Sequence, residues 1–306
     1  MQQPHWSGRD LAAAVAVIVI WGLNFVAMKF ALRDFTPFQL GAARFALAVL
    51  PLALLVRPPR VPWQWVALYG LFQGVGQFGL LFTALKVGMT AALASVLMQT
   101  QVFFTALFGF VLLHERPSRS LQAGLALAAL GLACFAMNYV APGSAGATTA
   151  WGFALNVAAA AMWAGSNIMA RKAQLASASF DALGFVVWSS LLPVPAFVFF
   201  TLLFDPEASR WSWRDAPWSS WAAVAYLGWA STILASTLWT GLLKRHAANR
   251  VAPFSLGVPV VGLGAGMLVL GEAITPWQWA GIALVVAALA CVMLGPRLSQ
   301  SGRRRA

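Results

Sequence analysis

Apolar runs of bilayer-spanning length, separated by short polar breaks, repeat along almost the whole chain. A hydrocarbon layer about 30 Å thick needs roughly 20 apolar residues per helix. The pattern predicts ten such helices, at about 10–32, 37–56, 63–85, 90–113, 119–140, 150–172, 181–204, 217–243, 250–270 and 276–295. Arg57-Pro58-Pro59-Arg60, Glu115-Arg116-Pro117-Ser118 and Ala141-Pro142-Gly143-Ser144 punctuate the runs. The one long connector, Asp205–Ala216, carries Trp211 and Trp213, which suit a membrane surface.

Composition narrows the class. Hydrophobic residues make up 60% of the 306 positions and charged residues only 9%, which leaves too little polar surface for a water-soluble protein. The chain reads as an all-α membrane protein, too apolar for a nucleic-acid binder despite a net charge of +12. Its basic residues instead report orientation. With the N-terminus inside, only Arg33, Lys86, Arg210 and Arg214 fall outside, and Lys29 and Arg44 fall within helices. The rest, from Arg9 through Arg57, Arg60, Arg171 and Lys172 to Arg303, Arg304 and Arg305, lie inside. The positive-inside rule therefore predicts that both termini are cytoplasmic. Residues 11–32 lack a small-residue cleavage site and read as a first span rather than a signal peptide. Cys134 and Cys291 lie inside apolar runs and read as small core residues, with no metal or cofactor implied.

The two halves of the chain resemble each other. Trp21-Gly22-Leu23-Asn24 followed by Lys29 aligns with Trp163-Ala164-Gly165-Ser166-Asn167 followed by Arg171, at an offset of 142. Leu113-His114-Glu115 before Ala123-Gly124 matches Leu270-Gly271-Glu272 before Ala280-Gly281, at an offset of 157. Five helices per half is an odd number, so the second copy enters the membrane from the opposite side. The expectation is two inverted five-helix repeats, 1–145 and 146–306, with a substrate site between them near the midplane.

Trp21-Gly22-Leu23-Asn24-Phe25, Lys29, Arg44-Phe45-Ala46-Leu47-Ala48 and the Glu115 and Glu272 segments resemble the EamA-type branch of the drug/metabolite transporter superfamily. The resemblance covers nearly the entire chain. It implies ten helices in two inverted repeats, helices one, three, four, six, eight and nine around a central cavity, and helices five and ten at the periphery. Within that superfamily the chain is most similar to bacterial inner-membrane exporters of amino acids, aromatic ones notably, which implies an inner-membrane location.

Polar groups at membrane depth are costly and mark function. Gln73 and Gln77 share a face of helix three, and Ser95 and Gln99 share a face of helix four, with Gln101 pointing elsewhere. Amides both donate and accept, which suits a zwitterion, although interhelical bonding is the structural alternative. Asn24 and Asn167 lie in the matched segments of the two halves. Trp21, Trp163 and Trp239 are candidate walls, and Ser236, Trp239 and Thr240 lie on one face of helix eight. Lys29 and Arg44 are possible charge partners for a solute; Lys29 can also snorkel outward, and Arg44 can snorkel or pair with Asp34 or a helix end. Glu115, Glu272, His5, His114 and His246 lie at helix ends, termini or loops, so no proton relay is expected at the midplane.

These residues imply no enzyme, since no nucleophile–base pair or metal cluster stands at membrane depth. They imply a facilitator for a small amphipathic solute such as an amino acid. A proton-coupled drug or metabolite antiporter and a lipid translocator are the alternatives, and association of copies is left open. Gly70/Gly74 and Gly262/Gly266 read as close helix contacts, and Pro253 and Pro259 as bends, so helices three, four, eight and nine are expected to flex during switching. A reporter fused after Ala306 should be active in the cytoplasm, and one inserted in Asp205–Ala216 in the periplasm. Periplasmic activity at Ala306 would refute this topology.

Overall fold

The computed structural model describes residues 7–113, 119–137, 148–177, 179–246 and 251–303. Within them the chain is all-helical, with no strand. The helices are α1 (Gly8–Ala31), α2 (Pro37–Ala53), α3 (Trp63–Lys86), α4 (91–113), α5 (Arg119–Met137), α6 (Ala150–Leu175), α7 (Ala182–Phe204), α8 (218–245), α9 (Gly257–Leu270) and α10 (Pro276–Arg303). Among the described residues seven helices are long and apolar enough to cross a bilayer, and Pro37–Leu50, Phe254–Leu270 and Pro276–Val292 are shorter apolar helices.

Local sequence explains where they start. Ser7 caps α1 and exchanges hydrogen bonds with Asp10 in a capping box, and Thr36 does the same with Gln39 ahead of Pro37 in α2. Thr90 and Thr149 cap α4 and α6. Gly271, at φ 65°, takes the left-handed conformation that ends α9.

The predicted continuous seventh helix is broken. Residues 190–192 form a turn before the helix resumes at Pro193. Pro193 and Pro195 supply no N–H, so backbone bonds that would carry the helix across this turn are missing. Conversely, α10 runs past Gly295-Pro296, where the sequence pattern ends it, because one missing donor does not stop a membrane helix.

Small residues set the spacing of the bundle. α1 crosses α9 where Gly22 meets Val261: a Cβ on Gly22 would stand 2.6 Å from Val261 Cβ and 3.1 Å from the Gly262 backbone nitrogen. Gly262 in turn lies against Ser95 of α4, and Gly74 of α3 receives the Pro193 ring of α7. α5 and α10 pack along each other, with Gly131 against Val285 and Gly281 against Phe135. Large side chains such as Leu54 and Leu268, each 88% exposed, point out of the bundle, as lipid contact requires.

Polar side chains tie the end where α1 and α3 finish. Lys29 donates to Leu85 O at 2.8 Å, and Lys86 donates to Leu32 O at 2.6 Å, so each helix supplies the cation for the other's C-terminus. Lys29 therefore does not snorkel away; the orphan carbonyl of its neighbour holds it. Beside it, Glu272 accepts from the backbone N–H groups of Ala91 and Ala92 at 2.7 and 2.8 Å, closing the start of α4. Asp34 accepts from Ser220, Thr36 donates to Asp205 at 2.5 Å, and Gln39 donates to Ser209 O at 2.8 Å. At the other end, buried His246 lies 3.1 Å from Asp10, which also takes a bond from Arg245. The loop position of His246 was expected; its burial comes from α8 ending against the start of α1.

Gly22→Val should lose about 1–3 kcal/mol of stability, since the α9 backbone cannot yield to the added methyls. Gly264→Ala, with nothing within 4 Å of its new Cβ, is the neutral control. Thermal unfolding in detergent measures both, and equal melting temperatures would contradict the packing.

Candidate functional site

Four helices depart from regular geometry around one cavity. α3 is π-helical over Gly70–Phe78 and α8 over Tyr226–Leu234. α4 tightens to a 3-10 turn at Met98–Thr100, and the 3-10 segment Ala252–Leu256 leads into α9. These are the helices expected to flex. Such stretches leave i−4 carbonyls without their usual donor and frequently sit at functional sites.

The cavity has a volume of about 370 Å³, within the usual range for small-molecule pockets. α1 brings Trp21, Asn24, Phe25 and Met28 to it. α3 brings Gln73, Gln77 and Phe78, and α4 brings Ser95, Met98, Gln99, Gln101 and Val102. Trp163 comes from α6, Ser231, Thr232, Ser236 and Trp239 from α8, and Ser255 and Val258 from the α9 region. α2 and α7 also reach it, through Arg44 and Phe45 and through Val186 and Ser190. α5 and α10 contribute no lining residue among those described, as expected of the peripheral pair.

Trp21, Asn24, Gln73, Gln77, Ser95, Gln99, Trp163, Ser236 and Trp239 thus meet on one surface. Trp21 and Trp239 stand with ring centroids 5.5 Å apart, and Trp21 Nε1 donates to Ser231 O at 3.1 Å. Gln73 Oε1 accepts from Ser166 at 2.5 Å, and Gln99 Nε2 donates to Ser255 O at 3.3 Å across α4 and α9. Ser95 spends its hydroxyl on Ala92 O at 2.7 Å.

Two expectations exchange places. Asn167 is not on the cavity: its Nδ2 donates to Gln101 Oε1 at 2.8 Å and Thr105 Oγ1 at 3.1 Å, clamping α6 to α4. Gln101, expected to point elsewhere, does line the cavity. The 3-10 turn winds about 120° per residue instead of 100°, which swings Gln101 and Val102 around toward Gln99. Lys29 is absent from the cavity, occupied as described with Leu85. Tyr69, Ser231 and Thr232 were missed; nothing in their spacing marks them, and the π segments decide where they face.

Among the described residues, Arg44 is the one cation on the lining. It is 4% exposed. Its guanidinium carbon lies 4.0 Å from the Phe78 ring centroid, and Nη2 donates to Thr232 Oγ1 at 3.3 Å. Nε and Nη1 have no hydrogen-bond partner among the described residues, nor do Gln77 Oε1 and Asn24 Oδ1. Asp34, a sequence-level candidate partner, is engaged by Ser220 instead. An uncompensated buried charge costs several kcal/mol as a rough scale. No Asp, Glu or His lines the cavity among the described residues, and these include no three-residue His/Cys/Asp/Glu group able to hold a metal. His5, His114, Glu115 and the side chains of Thr240 and Pro253 lie outside the described residues.

Known proteins place this architecture. A model of the EamA-like transporter family matches residues 10–137 and again 150–294. A probable amino-acid metabolite efflux pump of Salmonella typhimurium is 38% identical, covering 97% of this chain and 99% of its own. The probable amino-acid metabolite efflux pump of Escherichia coli K12 is 35% identical over 95% and 97%. A probable terminal-alkyne amino-acid exporter of Streptantibioticus cattleyicolor is 30% identical over 96% and 95%. One solved crystal structure has the same fold, with a TM-score of 0.60 and 21% identity over 94% of this chain and 97% of the other. With both stretches of the family model matched across an all-helical apolar bundle, the chain is a multi-pass membrane protein and belongs to the EamA-like transporter family.

Proposed function

We propose that this transporter exports amino acids, aromatic or neutral ones foremost, from the cytoplasm through the central cavity by alternating access. The cavity itself carries the reading. Paired indoles and further apolar walls suit an aromatic or aliphatic side chain, and amides and hydroxyls suit charged ends without a fixed anion. The names borne by the Salmonella, Escherichia and Streptantibioticus relatives point to the same class of solute.

The proposed frame is ten spans in two inverted repeats, 1–145 and 146–306, in the bacterial inner membrane with both termini cytoplasmic. Two recurrences support it. Nine-residue π segments lie in α3 and α8, and 3-10 turns lie in α4 and at the start of α9. Helices three and four thus find their irregularities repeated five helices later. In this frame the Lys29, Lys86 and Glu272 ties sit at the periplasmic end, and opening there means breaking them while the Asp10, Arg245 and His246 contacts hold the cytoplasmic end. A lining without a titratable acid or imidazole, among the described residues, favours a facilitator driven by the solute gradient over proton exchange.

Proteoliposomes preloaded with labelled phenylalanine should release it saturably, at a rate independent of an imposed pH gradient. Release that needs the gradient would replace the facilitator with an antiporter, and no release of any amino acid would reject the substrate class. In a background lacking Cys134 and Cys291, Gln77→Cys and Gln99→Cys should react with a thiol reagent more slowly when phenylalanine is present. Equal rates with and without it would remove those two residues from the pathway.

A further inference from the structure

Arg44 is more isolated than packing alone accounts for. It sits on α2, a helix the resemblance does not place on the pathway, and its guanidinium meets the cavity wall against the π segments of α3 and α8, through Phe78 and Thr232. Guanidinium stays charged at physiological pH and presents its donors in a fork shaped for a carboxylate. One donor is held by Thr232, one face is covered by Phe78, and Nε and Nη1 have no hydrogen-bond partner among the described residues. No acid lines the cavity among the described residues, so the complementary anion does not come from this lining. Two residues of the same lining, Asn24 and Gln77, carry amide oxygens, Oδ1 and Oε1, without a hydrogen-bond partner among the described residues. Unpaired donors and unpaired acceptors in one chamber are the inverse of a zwitterion.

We propose that Arg44 is the carboxylate receptor of this transporter and that Asn24 and Gln77 receive the ammonium of the same solute. The proposal rests on the amino-acid reading of the cavity and deepens it: the solute must carry a free carboxylate, and its side chain is left to the tryptophans. The receptor atoms are covered in this structure, so engagement requires the wall to yield. Phe78, which covers the guanidinium, closes the π-helical segment of α3, where backbone bonding is irregular and a local rewinding moves the ring.

Competition in proteoliposomes tests this. Release of labelled phenylalanine is challenged with phenylalanine, its carboxamide and phenethylamine, which share the ring and amine but differ in the carboxylate. Wild type should favour the acid over both competitors by about tenfold or more, the scale of a charge-assisted hydrogen bond. Arg44→Lys keeps the charge without the fork and should keep the ranking with weaker binding. Arg44→Gln should abolish the ranking. Carboxamide and amine competing as well as the acid in wild type would overturn the receptor while leaving amino-acid export standing. So would an unchanged profile in either variant. If Arg44→Gln fails to insert, wild type and Arg44→Lys decide the question. Absence of phenylalanine flux in wild type would instead overturn the transport reading on which the receptor depends.

Discussion

The bilayer offers no water to an unpaired backbone group, and most of this architecture follows from that constraint. Helices satisfy themselves internally except at their ends and where they deform. Those places attract the polar side chains. Lys29 and Lys86 exchange places on each other's helix ends, Glu272 takes the first donors of α4, and Trp21, Trp188 and Trp229 donate their indole N–H to backbone carbonyls. Much of the polarity of so apolar a chain is thus spent on backbone groups that lipid would leave bare.

Against that economy the exceptions are informative. Arg44, Asn24 and Gln77 carry polar atoms with no partner among the described residues, and all three border the same chamber. The chamber lies where π and 3-10 geometry interrupts the helices, so structural irregularity, unspent hydrogen-bonding capacity and open volume coincide. Each alone is ordinary in a membrane bundle. Together they form the surface proposed to receive a dipolar solute. The polar ties at one end of the bundle consist of a few side chains on helix termini.

Much of the candidate site was legible because intramembrane amides, indoles and charges are few. Gln73, Gln77, Gln99, Trp21, Trp163 and Trp239 stand out of an apolar background, and helical spacing puts them on shared faces. The reading failed where spacing stopped being 3.6 residues per turn. Gln101 lines the cavity because α4 overwinds just before it, and Asn167 leaves its expected place to bond that same amide. Lys29 looked like a snorkelling or ligand-facing cation because no pattern shows that the end of α3 stops beside it.

By itself the sequence determined an all-helical membrane protein, where most of its helices begin and end, and which side chains were too polar to be filler. Those properties follow from hydrophobic length, capping residues and scarcity, all of which are local. Only the tertiary structure decided which polar groups spend themselves on each other and which stay unspent. That depends on interhelical distances set by contacts such as Gly22 with Val261 and Gly74 with Pro193, and on helical twist that changes under packing. Residues a hundred positions apart have to meet before a hydrogen bond exists to be made or left open.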